Sequence, residues 1–162
     1  MSLIRLSIAP ALCATLLACA PQEAPETTTE IPFNTSLGIA EIMASVIDPS
    51  ADVLWANAGW IESTAGYEEL YPTSDEGWHQ VRATAAMVAE TGNLLMLPGR
   101  AVDNEAWQVY SQGMVDAGLM ALKAAEEQNK EDFFQAGAQL YSVCTACHQA
   151  YNPDIIAATG RN

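Results

Sequence analysis

The residues best equipped for chemistry stand together near the end of the 162-residue sequence, as Cys144-Thr145-Ala146-Cys147-His148. C-x-x-C-H is the spacing used for covalent attachment of haem, whereas C-x-x-C alone also serves redox dithiols and zinc sites. In the haem chemistry, two thiols form thioethers with the porphyrin vinyls and the adjacent imidazole binds iron. In the zinc chemistry, the three donors need a fourth. The other histidine is His79, and the sequence has no second paired cluster of the kind that structural zinc sites draw on. A redox dithiol belongs at the start of a helix following a strand, where the helix dipole lowers the thiol pKa. Here the motif falls late in a helical pattern, and no stretch shows convincing strand alternation. Haem attachment therefore fits these residues better than a haem-free thiol-redox or metal-binding module.

Four stretches of helical period must position the motif. The first covers about 36–59, with Ile39, Met43, Val46, Ile47, Leu54 and Ala58 near one face. Asp48-Pro49 interrupts it, and a kink or a restart capped by Asp48 is expected there, because proline cannot donate to the helix ladder. The second begins near Thr73, where Thr73-Ser74-Asp75-Glu76 has capping-box spacing. It continues through Trp78, Val81, Ala85, Val88 and Leu95 until Pro98-Gly99 stops it. The third covers about 103–128 along a stripe of Trp107, Tyr110, Met114, Gly118, Leu122 and Ala125. The fourth is capped by Asn129, carries Phe133, Gly137, Leu140, Tyr141, Cys144, Cys147, His148 and Tyr151, and ends at Pro153.

Short connections favour antiparallel neighbours, so the expected fold is all-α: an antiparallel up-and-down four-helix bundle. Cys144, Cys147 and His148 fall at i, i+3 and i+4 on the last helix and share one face. They continue its apolar stripe and so are expected to point into the bundle.

The opening residues, MSLIRLSIAPALCATLLAC, place one basic residue before an apolar run too short to cross a bilayer, the pattern of an export signal. Its end, Leu16-Leu17-Ala18-Cys19, resembles a bacterial lipobox, which implies cleavage after residue 18 and lipidation of Cys19. Residues 19–34 are rich in Pro, Thr and Glu without apolar period and read as a flexible tether. Residues 35–162 make one domain. The formal charge is −14, and loss of the signal removes one arginine and no acid, leaving the chain still more negative. Such a surface disfavours nucleic acid and suits partners with basic faces. No nucleophile–base pair or carboxylate dyad suggests an enzyme.

A four-helix chain with Cys144-x-x-Cys147-His148 on its last helix, followed by Tyr151, resembles the class II c-type cytochromes, the cytochrome c′ family. The specific part of the likeness is the segment from Leu140 to Tyr151, LYSVCTACHQAY. Class I cytochromes carry the motif early and a Met ligand far downstream, and here no Met follows residue 120. The resemblance implies one covalent haem c, with His148 as proximal iron ligand and a distal group drawn from the first helix. Met43 is the candidate sixth ligand there, against its ordinary use as a core filler. His79 is a weaker competitor. Arg82 or Arg100 could pair with a haem propionate, and spacing from His148 brings Tyr141 and Tyr151 nearest the ring. The family includes both closed six-coordinate electron carriers and open high-spin proteins that bind nitric oxide or carbon monoxide. The expectation is thus a periplasmic, membrane-anchored monohaem electron carrier, with gas binding as the alternative and homodimerisation compatible with either.

Overall fold

In a computed structural model, the structure describes residues 33–151. The signal, Cys19, most of the tether and Pro153 lie outside the described residues. The domain is mostly helical, with four helices and one small two-stranded sheet, an arrangement compatible with a helical bundle.

The first helix is built of three consecutive segments. These are α1 (Ile39–Ile42), a π turn (Met43–Ile47) and α2 (Asp48–Ala56). The α-ladder is interrupted and resumes at Asp48 as expected, but Asp48 is not the cap: it keeps right-handed helical geometry, and its N–H bonds the Met43 carbonyl. The π turn absorbs Pro49 instead. In an unbroken α-ladder the proline ring would strike the carbonyl of Ser45, and a wider i→i+5 turn just before it relieves that contact. Ser50 Oγ donates to the Val46 carbonyl at 2.6 Å, supplying a bond in the disturbed stretch.

A hairpin follows, with β1 (Trp60–Ser63) antiparallel to β2 (Gly66–Glu69) and Trp60 opposite Glu69. It corrects the expectation that the chain has no strands. Every residue of both strands is exposed, so neither has a buried face to impose alternation on the sequence. Gly59 and Gly66, at φ +96 and +128, provide the left-handed positions at its ends.

Helix α3 (Asp75–Leu95) starts at Ser74, whose side chain accepts from the Gly77 N–H, one residue later than the capping pattern suggested. Helix α4 (Ala106–Glu126) is opened by Asp103, whose Oδ1 accepts from the N–H groups of Glu105 and Trp107 at 2.8 and 3.0 Å. Helix α5 (Lys130–Tyr151) is capped by Asn129, whose Oδ1 accepts from the Asp132 N–H at 3.1 Å.

Cross-helix bonds give the directions. Arg82 near the start of α3 pairs with Glu126 at the end of α4, while Trp107 Nε1 donates to Leu95 at the end of α3, at 2.8 Å. These two helices run antiparallel and approach closely. A methyl at Gly118 would lie 2.6 Å from the Ala89 nitrogen, and one at Gly92 would lie 2.8 Å from the Ser111 carbonyl. Phe133, Leu54, Leu140, Val81 and Val88 are the largest fully buried side chains, and the core runs between all four helices.

Candidate functional site

One cavity of about 220 Å3 lies where the last turns of α5 meet the first helix and α4. Cys144, Thr145, Cys147 and His148 form its α5 wall, joined by Tyr141 and Val143. Met43, Ile47, Asp48, Ala51 and Trp55 form the wall of the first helix, while Tyr110, Ser111 and Met114 come from α4 and Leu95 from α3. Most of these contacts are apolar. The helical spacing explains the α5 wall, because residues three and four apart share a face. The π turn bears on the opposite one: Met43, its first residue, is half-buried and lines the same space as His148.

Both cysteines are free thiols and half-buried. Burial pushes the Cys144 thiol up to about 11, with the negative charges of Cys147 and Asp48 adding to it. Burial raises Cys147 as well. A redox dithiol needs the reverse shift, which a helix N-terminus supplies; here the pair sits near a C-terminus, where the dipole is negative. Nor do the donors converge as a metal cage. Among the described residues, no group of three or more His, Cys, Asp or Glu side chains is arranged to hold a metal ion.

A pH prediction follows from the raised thiol. In haem-free protein, the alkylation rate of Cys144 by iodoacetamide should keep rising through about pH 11 rather than levelling near the ordinary value of 9.0. The folded chain favours the protonated thiol, whereas the unfolded chain ionises earlier. Stability from this group is therefore complete below pH 9 and is lost as pH rises towards 11. Mass spectrometry of peptides carrying Cys144 across a pH series measures the first effect. A rate that levels near pH 9 would contradict the buried placement.

The structure brings Met43, Tyr141, Cys144, Cys147 and His148 to one cavity and leaves the candidates His79, Arg82, Arg100 and Tyr151 outside its lining. His79 is exposed on α3. Arg82 makes its ion pair with Glu126 at 2.7 Å, away from the cavity lining. Arg100 is 9% exposed and clamps backbone, donating to the carbonyl of Leu94 at 2.7 Å and reaching those of Asn34 and Leu37 at 3.4 and 3.5 Å. Tyr151 stands one layer back. Its ring meets Trp107 and the cavity-lining Tyr110 edge-on, with centroids 5.1 and 6.2 Å apart, and its hydroxyl donates to Asp103. That bond pushes the Tyr151 phenol up to about 12 and, with the backbone N–H groups of Glu105 and Trp107, holds Asp103 below its usual range.

Tyr110, Met114 and Leu95 were legible only as members of apolar stripes, and nothing in their spacing separates a cavity wall from a packed core. Asp48 is a further lining residue that sequence reasoning placed only as a cap. Trp55 is fixed by an indole N–H donated to the Gly137 carbonyl at 3.0 Å, and it meets Tyr141 edge-on at 6.0 Å. No helix among the described residues is long and apolar enough to cross a membrane. Comparison with protein families, with curated proteins and with solved structures found no match to this chain.

Proposed function

We propose that this chain is an exported monohaem c-type cytochrome of class II type, an antiparallel up-and-down bundle that carries single electrons in the periplasm from a lipid anchor at Cys19. The observation that carries this reading is that Cys144, Cys147, His148 and Met43 line one mostly apolar cavity. That donor set matches haem c: two thiols for the vinyls, one imidazole for iron and one thioether for a second axial position. The cavity volume of about 220 Å3 is below the roughly 300–1,000 Å3 common for ligand pockets. A porphyrin therefore needs the mouth of the cavity as well as its interior.

Bound haem supplies a one-electron ferric–ferrous couple. Cys144 and Cys147 would tether it, His148 would bind iron, and the Met43 thioether would close the remaining side. The apolar walls exclude water and keep the local dielectric low. Packed helices on each side would limit rearrangement of the imidazole and thioether when the charge changes. Asp48 is the one acidic residue lining the cavity, and its negative charge favours the oxidised, more positive state.

The test is the mass and visible spectrum of the processed protein, oxidised and then reduced. A mass excess of one haem with sharp, resolved bands on reduction is expected. No covalent haem would overturn the reading. Haem with broad high-spin bands that shift on adding carbon monoxide would replace electron transfer by gas binding.

A further inference from the structure

A second concavity, an open groove of about 670 Å3, lies on the surface between α2 and α5. Asp52, Trp55, Ala58, Phe134, Gly137, Ala138, Tyr141 and Ser142 line it. Trp55 and Tyr141 line both concavities, so their edge-to-face pair forms part of the wall between groove and cavity. The hairpin stands at the groove's end, because Trp60 stacks on Phe134 with centroids 5.6 Å apart. Trp60 and Tyr67 remain 53% and 63% exposed, although aromatic rings of this size are normally covered.

Charge says what kind of surface could cover them. None of the groove's lining residues is basic, and Asp52 is acidic. Glu131 falls three residues before Phe134 on the same stripe of α5, and Glu62 is exposed on the hairpin face that carries Trp60 and Tyr67. The nearby cation, Lys130, is already paired with Glu69. An apolar aromatic floor inside an acidic rim fits a partner with an apolar patch ringed by lysines or arginines. A second copy of this chain would bring like charge against like, given a formal charge of −14 on each.

Resting on the electron-carrier reading above, we propose that the groove and the hairpin face are the docking site for a basic redox protein, with Trp55 and Tyr141 between the partners' redox groups. The step is a one-electron transfer. This chain's group is oxidised by one electron and the partner's metal centre is reduced by one, with no bond made or broken.

The experiment uses the haem-loaded full-length processed chain, with a lysine-rich class I cytochrome c as probe and an acidic flavodoxin as charge control. Backbone amide shifts map the footprint, and titration calorimetry gives affinities at low and high salt. Shifts should centre on residues 52–62, 67 and 134–142. Ala138→Arg should weaken binding about tenfold and Glu62→Lys with Glu131→Lys by a similar factor, with raised salt acting in the same direction. Leu119→Arg, on the exposed side of α4, should leave affinity within about twofold. The flavodoxin should not bind.

A footprint on α3 and α4, or full affinity in Ala138→Arg, would overturn the assignment. So would concentration-dependent shifts without the probe, which would make a second copy the occupant. The absorption spectrum of the same samples separates the two readings. A haem-free sample removes the carrier reading and this one with it, whereas a haem-loaded sample that binds elsewhere removes this one alone.

Discussion

Met43→Ala in the haem-loaded protein is expected to convert a low-spin six-coordinate spectrum to a high-spin one while the haem stays attached. The argument starts from geometry. Met43 is the thioether from the first helix that lines the same cavity as His148, and alanine has no donor and too little length to replace it. In the proposed reading attachment would be carried by Cys144 and Cys147 on a different helix, so retention of haem should not change. The reduction potential should fall, because a Met sulfur favours the ferrous state more than a vacant or water-filled position does. Met114 makes the experiment sharper. It is buried on α4 and lines the same cavity, so it is a second thioether within the site. Absorption spectra and potentiometric titration of Met43→Ala and Met114→Ala, side by side, distinguish the two. An unchanged spectrum in Met43→Ala with a high-spin spectrum in Met114→Ala would transfer the axial role to α4.

Gly118→Ala should lower stability by about 1 kcal/mol net, even though alanine is the better helix former by about 1 kcal/mol. The added methyl would stand 2.6 Å from the Ala89 nitrogen and 2.9 Å from its Cα, and those are backbone atoms of a packed helix. They cannot rotate aside, so the two helices must separate along a contact both sides share. Overpacking of this kind costs about 1–3 kcal/mol before any propensity gain is set against it. Gly113→Ala is the control. Its methyl would meet Val143 Cγ2 at 3.2 Å, a side-chain atom able to give way, so stability should stay within about 1 kcal/mol of the parent. Thermal melts of both variants should show a fall of several degrees for Gly118→Ala alone. Equal melting temperatures would contradict the close approach of α3 and α4.

How far these features can be read from sequence depends on whether they are local. The four helices were legible because apolar residues recur at helical intervals, and the motif on α5 because its spacing lies within two turns. Asn129 as a cap was legible for the same reason. The hairpin was hidden, since Trp60, Ile61 and Tyr67 face solvent and leave no buried-polar alternation to detect. The ion pair of Arg82 with Glu126 joins residues 44 apart and depends on the register of two helices, which no local pattern encodes. The cavity walls were only half legible. Tyr110 and Met114 lie on the stripe that any core-facing helix would show, and the difference between lining a space and filling it arises when four helices come together.

The π turn before Pro49 has a consequence for how the chemistry of the cavity could be altered. An α-helix turns about 100° per residue, so deleting one residue from Met43–Ile47 would rotate α1 by that angle relative to α2. A deletion just after Met43 would swing its side chain off the cavity wall, while Cys144, Cys147 and His148 on α5 kept their places. Whether a thioether faces the His148 side of the cavity is thus set by chain length as much as by residue type. A single-codon deletion, with every cavity side chain still encoded, would separate a closed site from an open one.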